Sequence, residues 1–207
     1  SKLKKVKVSD ALKHPKWKMG KKISIDSATM MNKIFELIEA QKFFNIQKEK
    51  LDIIIHPQSL VHAIVVLKNG LIKFLYHETS MLIPIANAIV EKNCNINNYF
   101  NNRKITLKDL SFRKVDKSNF PIIQIKEKIL SLPSAPIIIN AANEVLVDHF
   151  LRKKIPFNSI YRFIMNIMKD RNFKKYAIKG TKNLNQIFLI DNWARVTTTK
   201  MIEKKYD

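Results

Sequence analysis

Ser27-Ala-Thr-Met-Met-Asn-Lys-Ile-Phe-Glu-Leu-Ile-Glu-Ala40 is the stretch on which the fold turns. On a helix drawn through it, Met30, Met31, Ile34, Phe35, Leu37 and Ile38 cover most of the circumference. Thr29, Asn32, Lys33, Glu36 and Glu39 fall on the remaining stripe at spacings of three and four. The pattern predicts one helix over 27–40, with Asp26 or Ser27 as N-cap and more than one face buried. Two readings of the polar stripe stay open. Lys33 and Glu36, at i and i+3, make a surface ion pair worth roughly a few tenths of a kcal/mol. Alternatively the stripe lines a site. Ser27 would then stand at a helix N-terminus, whose free N–H groups and dipole favour an anion. Asn32 and Lys33 are donors to phosphate or hydroxyl oxygens, and Glu36 suits a hard divalent cation. Donors beside a carboxylate fit a metal-assisted reaction on a small phosphorylated sugar.

Upstream, Lys22–Asp26 reads as a short strand, and His14–Lys22 as a loop with Pro15, Trp17, Met19 and Gly20 among lysines. Large apolar side chains in such a loop need a core or a ligand to cover. Lys2–Leu12 is basic, a loop or a short helix. Downstream, the β-branched run Leu51–Ile55 reads as a buried strand. His62–Leu67 and Leu71–Tyr76 flank Lys68-Asn69-Gly70, a hairpin signal. Ile83–Val90 is helical, with Pro84 in its first turn. Residues 91–118 are polar, rich in Asn and Lys, and read as a linker. Helices follow over Phe120–Leu132, Ile137–Leu151, Phe157–Lys169 and Leu184–Lys204, with Lys153–Pro156 as a stop and restart. The fold class is α+β: a mixed α/β unit with a small sheet over 1–90, the linker over 91–118, and an all-α bundle over 119–207.

Composition removes several functions. The 207 residues contain 3 glycines, Gly20, Gly70 and Gly180, too scattered for a dinucleotide or Walker phosphate loop. A single cysteine, Cys94, excludes an internal disulfide framework and a multi-cysteine zinc site. The net charge of +21 invites nucleic acid, but the lysines are spread between apolar segments and no RNA-recognition signature, zinc finger or arginine-rich arm is present. No specific nucleic-acid partner is expected. The apolar runs are shorter than a membrane span, and the first residues lack the apolar core of a signal peptide, so the chain reads as soluble and intracellular, with no membrane partner.

His14-Pro-Lys-Trp-Lys-Met-Gly-Lys-Lys-Ile-Ser-Ile-Asp-Ser-Ala-Thr-Met-Met-Asn-Lys-Ile-Phe-Glu-Leu-Ile-Glu-Ala40 closely resembles 1-deoxy-D-xylulose 5-phosphate reductoisomerases. So do Ile55-His-Pro-Gln-Ser-Leu-Val-His62 and Asn140-Ala-Ala-Asn-Glu-Val145, in the family's order and at about its spacing. The resemblance implies an NADPH- and Mg²⁺- or Mn²⁺-dependent enzyme of non-mevalonate isoprenoid synthesis. Such an enzyme isomerises 1-deoxy-D-xylulose 5-phosphate and reduces the product to 2-C-methyl-D-erythritol 4-phosphate. By the same match Ser27, Asn32 and Lys33 hold substrate and its phosphate, and Glu36 ligates the metal. His14 lies on a substrate-closing loop whose lid is Trp17 and Met19. Gly20 approaches NADPH through its backbone, and His62 supports the site from a strand. The resemblance further implies a homodimer at full length, in a bacterial cytoplasm or a plastid-type organelle.

The chain looks like the family's C-terminal half. Neither the NADPH domain nor the Asp-Ser-Glu segment with the other metal carboxylates is found in it. Ile34 stands where the family usually has Gly, an expected source of crowding. Ser80 and Leu82 replace an Asp-Met-Arg run, an expected loosening before Pro84. The alternative is an inactive basic remnant that binds anions or nucleic acid. Of the remaining candidates, His56 reads as a packing or hydrogen-bonding residue, and His77 and His149 as structural or surface residues. Cys94 has no nearby base. Asn140, Asn143 and Glu144 are expected to tie the helical unit to the site helix.

Overall fold

The computed structural model describes residues 5–13, 19–90, 95 and 109–206. In chain order its elements are α1 (Val8–Ala11), α2 (Lys21–Thr29), α3 (Met31–Phe44), β1 (Ile54–Ile55), β2 (Val61–Val66), β3 (Ile72–Tyr76), α4 (Leu82–Ile89), β4 (Arg113–Lys114), α5 (Lys126–Ser131), α6 (Ala135–Leu151), α7 (Phe157–Lys169), α8 (Phe173–Ala177) and α9 (Leu184–Tyr206). Contacts divide them into two compact units. Residues 19–53 and 116–206 belong to one, and those between 54 and 115 to the other. This differs from the expected division at 90 and 118, because α2 and α3 share the core of the helical bundle.

In the larger unit α6 is the spine, packed against α9, α7 and α2. Its residues Ile138, Ile139, Ala142 and Leu146 are fully buried, as are Phe163 and Ile164 of α7. The same core takes in Ile25 of α2 and Met31 and Ile34 of α3. Each such large side chain contributes roughly 1.5–3 kcal/mol through removal from water. Ile34, expected to crowd its helix, is completely enclosed within a regular α3. Two polar ties run from α6. Asn143 Nδ2 donates to Asp26 Oδ1 of α2 at 2.8 Å, and Arg195 of α9 reaches Glu144 at 2.6 Å.

In the smaller unit β2 and β3 form the expected antiparallel hairpin. Gly70 takes φ +85°, a left-handed turn position that glycine adopts without strain, and its N–H donates to Leu67 O. β1 pairs antiparallel with β4, Ile54 opposite Lys114. His56 Nδ1 meets Ser111 O at 2.9 Å, its ring stacks on Phe112, and Gln58 Nε2 donates to Ser111 Oγ. The expected packing role of His56 is the one observed. Just before α4, Ser80 Oγ accepts from Leu82 N at 3.3 Å, an exposed turn contact in the segment before Pro84.

Several expectations fail locally. Residues 22–26 are not a strand but part of α2. Ile25 is buried there together with the polar Ser24 and Asp26, while Ile23 is exposed. Lys22 and Asp26 pair at i, i+4, and Ser24 Oγ bonds back to Gly20 O. Helix 27–40 is two helices, broken at Met30, whose φ of 65° is left-handed. Leu51–Ile55 contributes only a two-residue strand, and Ile54 is exposed. Within 91–118, residues 91–94 and 96–108 lie outside the described set, and Cys94 with them; Arg113 and Lys114 are strand, not linker. Pro121–Ile125 is a 3-10 turn leading into α5, so Phe120–Leu132 is not one helix. α8 was not anticipated. α6, α7 and α9 fall where the spacing puts them, as does α4.

Candidate functional site

The break at Met30 is the local feature that shapes the site. Met30 N–H donates to Ser27 O and closes α2, and Thr29 Oγ bonds the carbonyls of Ile25 and Asp26. The same hydroxyl accepts from Met31 N at 3.4 Å. α3 then begins afresh. Its first carbonyl-bound amide at this end is Ile34, which donates to Met30 O. The N–H groups of Asn32 and Lys33 have no hydrogen-bond partner among the described residues. They form the donor end of a 14-residue helix.

Ser27 is therefore not the N-cap expected for it. It sits half-buried in the last turn of α2, at a helix C-terminus, and the anion-favouring end lies four residues on. Asn32 and Lys33 occupy the first turn of α3, and Ser27 does not.

Asn32, Lys33 and Glu36 are brought together. Asn32 Nδ2 donates to Glu36 Oε1 and Lys33 Nζ to Glu36 Oε2, both at 2.5 Å. Lys33 and Glu36 side chains are each 44% exposed, so the cluster faces outward and is open to a ligand. One carboxylate thus holds an amide and an ammonium in register, donors that a phosphate would engage. Beside it, a cavity of about 400 Å³ lies between α2, α3 and α6, lined by Lys22, Asp26, Asn32, Phe35, Glu39 and Asn140. Only Asn32 belongs to both.

Met19 is half-buried just ahead of α2, and Gly20 is exposed as its N-cap. Gly20 has φ −61°, open to any residue, and a Cβ built on it meets nothing within 4 Å. Nothing among the described residues calls for glycine there. His14 and Trp17 lie outside the described residues. His62 is on β2 in the other unit, where its Nε2 donates to His77 O at 3.1 Å and the two rings stack.

For a divalent cation, Glu36 supplies one carboxylate, and both of its oxygens already accept hydrogen bonds. Among the described residues no three of His, Cys, Asp and Glu gather into a metal-holding group. These residues do not by themselves make a Mg²⁺ site, an ion that binds through several oxygens. For NADPH the chain offers the backbone at Gly20 and no glycine-rich loop.

Of the three residues expected to tie the helical unit to the site segment, Asn143 does so, through the buried Asp26 of α2, whereas Glu144 pairs with Arg195 of α9 and Asn140 donates to Glu144; that Asp26 is the partner was not legible in the sequence. The second polar tie stands on Arg195. Its guanidinium donates to Asp191 and Glu144, and these bonds hold it charged above even its usual range.

Fold and site together define an α+β chain that presents phosphate-type donors and a carboxylate side by side at one helix end. Residues 77–197 match the DXP reductoisomerase C-terminal domain, and residues 1–44 match the 1-deoxy-D-xylulose 5-phosphate reductoisomerase C-terminal domain. The chain belongs to the 1-deoxy-D-xylulose 5-phosphate reductoisomerase family. It is 42% identical to the reductoisomerase of Pelagibacter ubique over 97% of its own length and 52% of that protein's. Against the enzyme of Wolbachia pipientis wMel it is 40% identical, over 98% and 52%. A crystal structure of a DOX-P reductoisomerase with NADPH, fosmidomycin and magnesium superposes with a TM-score of 0.86 at 30% identity, covering 100% of this chain and 52% of the other. The reductoisomerase of Zymomonas mobilis in complex with NADPH gives 0.79 at 33% identity, over 98% and 51%. The chain thus spans about half the length of the relatives it matches.

Proposed function

We propose that this chain is the C-terminal part of an enzyme that isomerises 1-deoxy-D-xylulose 5-phosphate and reduces the product with NADPH to 2-C-methyl-D-erythritol 4-phosphate. The observation that carries the reading is the Asn32–Lys33–Glu36 cluster at the opened end of α3, across the Met30 turn from Ser27, in a chain that aligns with reductoisomerases along nearly its whole length. Ser27, Asn32 and Lys33 take the substrate phosphate, through side chains and the free N–H groups of the first turn of α3. Glu36 gives one oxygen to Mg²⁺ or Mn²⁺, completed by carboxylates from outside this chain. His14, Trp17 and Met19 belong to a loop that closes over substrate, and His62 supports the site. Gly20 lets the nicotinamide cofactor approach the backbone; the unexplained glycine at this position supports that role.

A homodimer of the complete enzyme is part of the proposal. The exposed apolar side chains of β2 and β3, Val65, Val66, Ile72 and Leu75 among them, support it. No described helix is long and apolar enough to cross a membrane. The relatives named above come from bacteria, which favours a bacterial cytoplasm over a plastid-type organelle.

The test is Glu36→Gln in the complete protein, with whatever precedes Ser1 in its reading frame. Turnover of 1-deoxy-D-xylulose 5-phosphate falls by orders of magnitude while the thermal unfolding midpoint stays in place. Near-normal turnover removes Glu36 from the metal. A wild-type protein that does not convert the sugar phosphate at all returns the chain to the basic-remnant reading.

A further inference from the structure

We infer that Asn143 is a positioning residue for the phosphate end of the site, acting through Asp26. The inference rests on the reading above for what binds at Ser27, Asn32 and Lys33. Asn143 lies on α6 and is fully buried, and Asp26 on α2 is 1% exposed. The amide donates to the carboxylate at 2.8 Å across 117 positions of sequence. Lys22 Nζ covers the other carboxylate oxygen at 2.6 Å. The remaining charged group lining the adjoining cavity is Glu39 of α3.

Packing alone does not account for asparagine here. Its own Oδ1 is buried with no hydrogen-bond partner, a cost that an apolar side chain avoids. What only the amide provides is direction, since its N–H fixes one oxygen of Asp26 and with it the rotation of α2 about its axis. Asp26 immediately precedes Ser27, and its carbonyl accepts from Thr29 Oγ, the hydroxyl that also meets Met31 N. One short chain of contacts therefore runs from α6 to the turn that opens α3. α6 itself is held from behind by Arg195 on Glu144, the next residue. Displacement of binding groups by about an ångström is enough to cost ~10²-fold in an enzyme.

The experiment compares wild type, Asn143→Leu and Asp26→Asn in the complete protein. Steady-state kinetics with 1-deoxy-D-xylulose 5-phosphate are paired with amide hydrogen exchange over residues 24–38. For Asn143→Leu the KM for the sugar phosphate rises at least ~10-fold, with the KM for NADPH unchanged and exchange faster in α2 and the first turns of α3. Asp26→Asn keeps an oxygen for Asn143 to donate to and holds the sugar-phosphate KM within about 3-fold of wild type, a shift small beside that ~10²-fold. Should Asn143→Leu not fold, Asn143→Ser, too short to reach Asp26, carries the same expectation. A loss confined to kcat or to the folded fraction, with KM and exchange unchanged, overturns the inference and leaves a structural asparagine. An equal KM rise in Asp26→Asn overturns it as well, because charge and not direction would then be the cause. If the wild type turns over no sugar phosphate, the functional reading fails by itself, and the exchange data alone decide whether Asn143 holds α2.

Discussion

Replacing Lys33 by alanine in the complete protein separates an anion site from a solvated helix face. Two losses follow from the structure, and they differ in size. The pair with Glu36 is short, but both side chains are 44% exposed. Water screens such a pair and ordering two long side chains costs entropy, so its removal lowers stability by about 1 kcal/mol or less. The second loss appears only with ligand. A charge-assisted hydrogen bond to phosphate contributes roughly 1.5–3 kcal/mol, a ~10- to 100-fold weakening of binding. Calorimetric titration with the phosphonate fosmidomycin reads this second loss, and thermal unfolding reads the first. A third titration, with duplex DNA at fixed salt, is the control. Lys33 is one of 38 basic residues, so an affinity summed over many phosphates barely changes. A selective loss toward the small ligand is the expected result. Equal small losses toward both ligands would refute the assignment of this helix end to a phosphate, and a destabilisation of several kcal/mol would refute the description of the pair as exposed.

Gly20→Ala meets open space at an ordinary φ and costs under about 1 kcal/mol of stability as a helix N-cap change. It nevertheless weakens NADPH binding in the complete protein; unchanged cofactor affinity by fluorescence titration removes the close backbone approach. Met30→Ile places a β-branched residue at φ 65° and lowers stability by roughly 1–2 kcal/mol in denaturant melts, whereas Met30→Gly stays level or gains; the opposite order contradicts the left-handed break. Asp116 accepts from Ser118 Oγ and N and from Asn119 Nδ2, which together hold its carboxyl below the ordinary 3.8. A lowered folded-state value gives stability that is complete above the unfolded value and lost as pH falls through the folded one. Wild type therefore exceeds Asp116→Ala in stability at neutral pH, and the margin shrinks below about pH 3.8; a margin independent of pH sinks the claim.

The elements legible in the sequence are those whose own residues settle them. α7 repeats Phe157, Ile160, Phe163, Ile164 and Ile167 at helical spacing behind Pro156, and every one of these is buried. The hairpin is written in Asn69-Gly70, where the left-handed glycine and an Asn69 side chain accepting from Leu71 N set the turn. α2 was illegible for the opposite reason. Its buried residues include Ser24 and Asp26, polar side chains whose partners are Gly20 one turn back and Asn143 on a distant helix. No local pattern announces a buried aspartate. β1 is equally non-local, since two residues become a strand only because Arg113 and Lys114 come alongside.

Asn32, Lys33 and Glu36 gather at one helix end, as the polar stripe suggested, but the helix that carries them is not the one the spacing predicts. A continuous helix over 27–40 would have spent the N–H groups of Asn32 and Lys33 on carbonyls one turn back. In such a helix Lys33 and Glu36 amount to an ion pair on a solvated face. The left-handed turn at Met30 changes this, because it returns those two amides to the surface beside the ammonium of Lys33 and the carboxylate of Glu36. No glycine, proline or asparagine marks the break, so propensity does not foretell it; Thr29 makes it, by tying its hydroxyl to the last carbonyls of α2 and to Met31 N. The unpaired donors of this helix end thus trace to a hydroxyl and a left-handed φ, next to an Asp26 whose carboxylate is bound by Asn143, and the anion site proposed here stands or falls with that turn.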